Sequence, residues 1–263
     1  MSIEHMIKEY SQKDILEKEN TRELYEESFD DPKEFVDYYY EDKCSDNRMI
    51  VSEENGEVIS MLHLNPYTVN LCGKLVPSYY VVAVATKESR RRERQMAKVF
   101  EKTFELLKKE HIPFVFLLPV DESIYSWMGF EKVCDFTLNR ISDYEEIKKN
   151  YDIYCVRDDD YIRRMNKEDE LRALDKGEVL PDKPVIMAKI TDLEAFAAAV
   201  GAGSGTSAGN GSGISAGTRP GTTVGKGSDT GTGKWSGTEA GFATEKEALA
   251  WMRDRRMYFC EEV

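Results

Sequence analysis

The feature that most constrains this chain is residues 79–94, YYVVAVATKESRRRER, with the amphipathic stretch behind it. Residues 79–84 are mostly aromatic and β-branched, which predicts a buried strand. A polar turn of Lys87, Glu88 and Ser89 follows, then Arg90, Arg91 and Arg92. Beyond it Met96, Val99, Phe100, Phe104 and Leu107 recur on one face of a predicted helix over residues 91–110. A strand, a cationic turn and a helix start bring backbone N–H groups and the positive end of a helix dipole together. A pyrophosphate is the natural guest of such a turn.

Composition narrows the partners. The 263 residues carry a formal charge of −13, which disfavours nucleic acid and favours cationic ligands such as amines. Five cysteines form no C-x-x-C pair, and three histidines are too scattered for metal-ligand spacing. Buried thiols in a reducing cytoplasm follow, with no metal. No apolar run reaches the ~18 residues of a membrane span, and residues near the start do not read as a signal peptide.

In chain order, residues 6–10 predict a strand, 14–29 a helix, and 31–40 a second helix opened by Asp31-Pro32. Strands over 48–53 and 57–67 flank Asn55-Gly56, a strong hairpin signal, and Cys72-Gly73 turns into a strand over 75–85. After the amphipathic helix, IPFVFLL at 112–118 is a continuous apolar run, expected of an interior strand. A short helix over 122–128 and a last strand over 131–141 complete the series.

This order, with Val84-Ala85-Thr86, RRRERQM and FVFLLPVDESIYSWMGF (114–130), resembles the GNAT acetyl-CoA-dependent N-acetyltransferases. The resemblance is nearest to the enhanced-intracellular-survival (Eis) branch and covers residues 1–142. It implies an α+β fold, a mixed and mostly antiparallel sheet flanked by helices. It further implies a GNAT domain over 1–145 and a connector over 146–182 like the opening of a second such domain. Residues 183–263 then stand as a degenerate sterol-carrier-like region.

The resemblance also assigns roles. Val84, Ala85 and Thr86 line the pantetheine arm of acetyl-CoA, and the pyrophosphate turn R-x-x-G-x-G/A maps onto Arg91, Arg92, Glu93, Arg94, Gln95 and Met96. The glycine that admits the phosphates is replaced by Arg94, or by Glu93 in the neighbouring alignment. Tyr125, in a complete Y-x-x-x-G-F, takes the place of the general acid that protonates the leaving thiolate. Asp121 falls where the family meets the cofactor near a helix start. The terminal carboxylate, here Val263, falls in the place of the base. The acceptor is a small amine, polyamine or aminoglycoside-like; the acidic stretch from Glu17 to Asp46 edges its cleft, with Glu26, Glu27, Asp30, Asp31, Glu34 and Asp37 there to attract it. A homo-oligomer is compatible with this reading. The alternative is a silent binding module that has lost acetyl-CoA affinity through Arg94.

Residues 201–241 hold fourteen of the eighteen glycines, mixed with Ser, Thr and Ala, and predict a flexible, partly disordered linker over about 200–243. None of its glycine clusters has the spacing of a phosphate loop. Residues 244–255 predict a closing helix with Thr244 as N-cap and Glu247 at the capping-box position.

Overall fold

The computed structural model describes residues 5–137, 140–172, 183–201 and 241–260. Strand β1 (His5–Tyr10) leads into α1 (Ile15–Lys18), a 3-10 turn, α2 (Arg22–Ser28) and α3 (Lys33–Glu41), with Pro32 just ahead of the first turn of α3. A second 3-10 turn, Lys43–Ser45, precedes β2 (Arg48–Glu54), β3 (Glu57–Leu71) and β4 (Lys74–Thr86), an antiparallel meander. Asn55 and Gly56 take φ of 52° and 86°, the two positive values a tight type I′ hairpin needs. Cys72 and Gly73 do the same at 52° and 93°. The β3–β4 ladder therefore runs past Tyr67 to Leu71, farther than the hydrophobic pattern predicts.

The long helix α4 (Gln95–Lys109) starts at Gln95 rather than at Arg91, because Arg92 and Arg94 are left-handed and a 3-10 turn, Glu88–Arg90, fills the connection. Next come β5 (Phe114–Leu117), the short α5 (Ser123–Ser126) and β6 (Glu131–Asp135). The last of these is shorter than predicted: Phe136 donates its N–H to Pro184, and Thr137 donates to Phe259, which draws the chain off the sheet. Nor is it the final strand. After α6 (Tyr144–Asn150) come β7 (Ile153–Cys155), α7 (Asp159–Arg172), β8 (Val185–Ile190), α8 (Leu193–Gly201), α9 (Glu245–Arg253) and β9 (Met257–Tyr258).

The strand order is β1-β2-β3-β4-β5-β8-β6, with β7 on the far end of β3 and β9 parallel to β7. Residues expected to open a separate C-terminal region thus lie inside the same sheet. Strand β8 reads VIMAKI and is buried on both faces, which suits an interior strand, and it pairs antiparallel with β5 on one side and β6 on the other. Phe114, Val115, Phe116 and Leu117 of β5 are at most 2% exposed. Each contributes about 1.5–3 kcal/mol by burial.

Helix α4 packs Val99, Phe100 and Leu107 on one face of the sheet, against Leu62, Leu64, Val81 and Val115. The opposite face is covered by α2 and α3 at one end, and by α8, α9 and Phe259 at the other. Thr244 caps α9 as predicted, accepting from the N–H of Glu247 at 3.2 Å; the Glu247 carboxylate reaches Ala243, one residue before the cap. The greater part of the Gly-rich linker, residues 202–240, lies outside the described residues.

Candidate functional site

Two features of β4 shape the first half of the site. Strands β4 and β5 pair in parallel only at Tyr79–Val115 and Tyr80–Phe116. Beyond that point β4 continues to Thr86 without β5 beside it, so the two strands part. The register with β3 also slips: Met61 faces Ala85 while His63 faces Val82. Two residues of β4, Ala83 and Val84, therefore oppose one of β3, a β-bulge with Ala83 at φ 50°. The bulge resets the alternation of side chains. Val82 and Ala83 both join the clusters opposite α4, and Val84 returns to the α4 face. Val84, Ala85 and Thr86 thus follow a strained residue along the open edge of the parted strands.

The cationic turn lies directly after. Arg92 has φ 67°, and Arg94, the N-cap of α4, has φ 61° and ψ 24° with no side chain capping the helix. The position assigned to glycine therefore keeps the left-handed conformation that glycine favours, with an arginine in it. Lys98 is the first residue to bond back, to the Arg94 carbonyl at 3.2 Å, so the earlier N–H groups of Gln95, Met96 and Ala97 have no acceptor within the helix. The buried Gln95 side chain accepts from Ser52 at 3.1 Å and pins the helix start to β2.

The charges in the turn divide their work. Arg90 is committed to Glu54 and Glu93, and its guanidinium holds the Glu93 carboxyl below the usual carboxylate range. Glu93 accordingly does not present an uncompensated charge to an anion. Arg91 donates to the Thr86 carbonyl at 3.3 Å. Arg92 and Arg94 are exposed and form no ion pair among the described residues.

Tyr125 borders the same cluster as Val84 and Met96, edge-on to Phe100 at 6.1 Å and Phe130 at 5.9 Å. Burial pushes its phenol up to about 12, so the proton is retained at neutral pH and is available for donation. Asp121 is exposed and turned to its own helix start, accepting from the Ser123 N–H at 2.8 Å, which holds its carboxyl low. Val263 lies outside the described residues.

A pocket of about 140 Å³ opens on the other face, between the 3-10 turn after α3, strand β3 and helix α7. Lys43, Asn65, Tyr67, Arg164, Glu168 and Cys260 are among its walls. Lys43 lies 2.9 Å from Glu168, both about 5% exposed, and Tyr38 donates to the same Glu168 oxygen at 3.1 Å. The Tyr67 ring meets Tyr80 at 6.5 Å and Phe116 at 6.0 Å, the last paired residues before β4 and β5 part. The pocket therefore backs onto the parting from the side away from α4.

Of the acidic stretch from Glu17 to Asp46, Asp46 lines this pocket, whereas Glu26, Glu27, Asp30, Asp31, Glu34 and Asp37 do not. Asp37 is bound to Arg22 and Lys33, Glu26 to Arg22, and Asp31 accepts from Tyr25 at 2.7 Å. The acids at the pocket are Asp46, Asp158, Asp160 and Glu168. Sequence reasoning missed Lys43 and Glu168. The signal that was present, a charged helix over 159–172, does not by itself say which charge turns inward. Among the described residues, no group of three or more His, Cys, Asp or Glu side chains has metal-binding geometry, no disulfide forms, and no helix is long and apolar enough to cross a membrane.

Residues 9–133 match the profile of the acetyltransferase (GNAT) domain. No match is found among curated protein sequences. Among solved structures, a probable N-acyltransferase from Enterococcus faecalis V583 is 13% identical, with TM-score 0.52 over 74% of this chain and 75% of that one. A GCN5-related N-acetyltransferase from Anabaena variabilis is 12% identical, with TM-score 0.50 over 74% and 75%. A GNAT family N-acetyltransferase from Escherichia coli, solved in complex with CoA, is 19% identical with TM-score 0.40 over 50% and 71%. The protein has the GNAT fold, and its residues 9–133 carry the match to the GNAT acetyltransferase domain.

Proposed function

We propose that the protein transfers the acetyl group of acetyl-CoA to a primary amine of a small cationic substrate. The observation that carries this reading is the parting of β4 from β5 beyond Tyr80, bulged at Ala83 and continued into a cationic helix start. The edge of β4 that β5 leaves open along Val84, Ala85 and Thr86 would hold the pantetheine arm, as strand edges hold extended ligands, although the Ala85 and Thr86 carbonyls already accept from Ser60 and Arg91. Arg91, Arg92 and Arg94 would meet the diphosphate together with the N–H groups of Gln95 and Met96. Asp121 would steady the turn that carries Tyr125, and Tyr125 would protonate the departing thiolate. No metal is required by this chemistry, since charge develops on an oxyanion and a thiolate that N–H and O–H donors can meet.

The finer placement in the Eis branch rests on the complete Y-x-x-x-G-F at Tyr125, Gly129 and Phe130. In that reading the protein works in the cytoplasm, where reduced cysteines persist.

A second reading has one specific observation behind it. Arg94 stands left-handed at the place of the phosphate-loop glycine, and its side chain would occupy the room a diphosphate needs. The protein would then be a silent GNAT-fold module. Calorimetric titration with acetyl-CoA separates the two: saturable binding, with acetylated product on adding an amine, supports catalysis, and no heat at millimolar ligand supports the module.

A further inference from the structure

We propose that the second carboxylate oxygen of Glu168 seats a primary ammonium group of the acceptor, and that the acceptor is a short α,ω-diamine held there by one end. This deepens the acyl-transfer reading and rests on it for the fate of the other end. Glu168 is 5% exposed and stands in the wall of the pocket. Both of its contacts, the ammonium of Lys43 and the phenol of Tyr38, converge on Oε1. Oε2 has no hydrogen-bond partner among the described residues. Among the described residues, the fully enclosed side-chain atoms without partners are Asn47 Oδ1, His63 Nε2 and Asn65 Nδ2. Glu168 Oε2 is not among them, so it opens onto the pocket that its residue lines.

A buried carboxylate oxygen takes a donor at little cost and resists another anion. The protein's own cations in this pocket are already committed, Arg164 to Asp42 and Asp46, and Arg140 to Asp169. The lining holds four carboxylates, Asp46, Asp158, Asp160 and Glu168, against the three cations Lys43, Arg140 and Arg164. A substrate carboxylate or phosphate would meet a net negative wall. A compact ammonium brings three donors and a positive charge. A short alkyl chain from it can run along Tyr67, whose ring touches Tyr80 and Phe116 where β4 and β5 separate. The far amine of a diamine would then point toward the parting from the side opposite α4, where the thioester is proposed to lie, with Tyr80 and Phe116 between.

The test uses the full chain and 1,4-diaminobutane, read by thermal shift and calorimetry in the wild type, Glu168→Gln and Lys43→Met. The diamine should raise the wild-type melting temperature, and Glu168→Gln should weaken its binding about ten- to hundredfold, as loss of one buried charge-assisted contact does, with acetyl-CoA affinity unchanged. Lys43→Met leaves the Glu168 carboxylate without its internal cation, so the diamine should raise the melting temperature by more than in the wild type. A merely structural Glu168 would not produce that gain. If Glu168→Gln fails to fold, Lys43→Met decides. Absence of a wild-type shift, equal binding in folded Glu168→Gln, or no enhanced rise in Lys43→Met overturns the proposal. Diamine binding that depends on Glu168 without acetyl transfer to any amine would sink the acyl-transfer reading and leave the seat. Undiminished acetylation of the diamine by Glu168→Gln would do the reverse.

Discussion

On the α4 face, the proposed chemistry comes from two neighbouring runs of sequence, Val84 to Met96 and Asp121 to Phe130. On the other face, Tyr38 and Glu168 meet across 130 positions. The first region owes its form to local backbone events: a bulge at Ala83, two left-handed arginines and a helix start. The second is held by long-range contacts among buried charges and rings, which exist only once α3 and α7 have docked. Local geometry survives substitution of its side chains. The far pocket depends on each partner, because removing one member of a buried pair strands the other. Variants that strike one face and spare the other test this difference.

The largest effect should come from cutting the chain after residue 145. This keeps the whole stretch that matches the GNAT domain, 9–133, and removes α7 and the strands β7, β8 and β9. Among the described residues, strand β8 is the sole link between β5 and β6 in the sheet, and its Val185, Ile186, Met187, Ala188 and Ile190 are at most 5% exposed. Losing that many core side chains at about 1.5–3 kcal/mol for the larger ones approaches the total stability of an ordinary domain, about 5–15 kcal/mol. The truncated protein should be unfolded or aggregated by circular dichroism and gel filtration. A soluble fragment with a cooperative transition would show that the α4 face stands without the rest.

Next in size is Tyr125→Phe. Loss of a positioned proton donor should lower kcat roughly a hundredfold, with acetyl-CoA affinity almost unchanged, because the ring still packs on Phe100 and Phe130. Equal losses in kcat and affinity would reassign Tyr125 to packing.

The opposite face should show a pH dependence of its own, centred on His63. His63 is fully buried against Tyr39, whose phenol lies 2.9 Å from Nδ1, and burial lowers the imidazole pKa to about 3. In the unfolded chain it titrates near 6.5, so between those values the unfolded state binds more protons and stability falls as the pH is lowered. By pH 5 the loss is about 2 kcal/mol. Denaturant melts at pH 7 and pH 5 should show it, and in His63→Gln the difference should shrink by that amount. An unchanged pH slope would mean the imidazole is not held neutral.

What the sequence discloses follows the same division. Asn55-Gly56, the apolar run at Phe114–Leu117 and the Thr244 cap act over a few residues, and each appears where the pattern predicts. The start of α4 does not, since no periodicity reveals that Arg92 and Arg94 turn left-handed. Strand β8 is not among the predicted strands, and its neighbours are chosen by packing at the open edge of β5, which no local pattern encodes. Glu168 is one acid of a charged helix until α7 is placed against Lys43.

The smallest effect expected, and the sharpest test of the local face, is at Arg94. A non-glycine residue held left-handed costs about 1–2 kcal/mol, and a glycine there loses part of that gain to its greater freedom when unfolded. Arg94→Gly should therefore stabilise the fold by under about 1 kcal/mol. For acetyl-CoA two effects oppose: the backbone can come closer to the phosphates, and an exposed guanidinium, worth little in water, is lost. We expect a net tightening of roughly threefold, about 0.6 kcal/mol, by calorimetric titration. Arg94→Ala separates the two effects, since it removes the charge and keeps the backbone penalty. Affinity in the order Gly, Arg, Ala would show that backbone shape governs the turn. If Gly and Ala weaken binding alike, the phosphates depend on the guanidinium, and the α4 face would rely on an individual side chain just as the Glu168 pocket does.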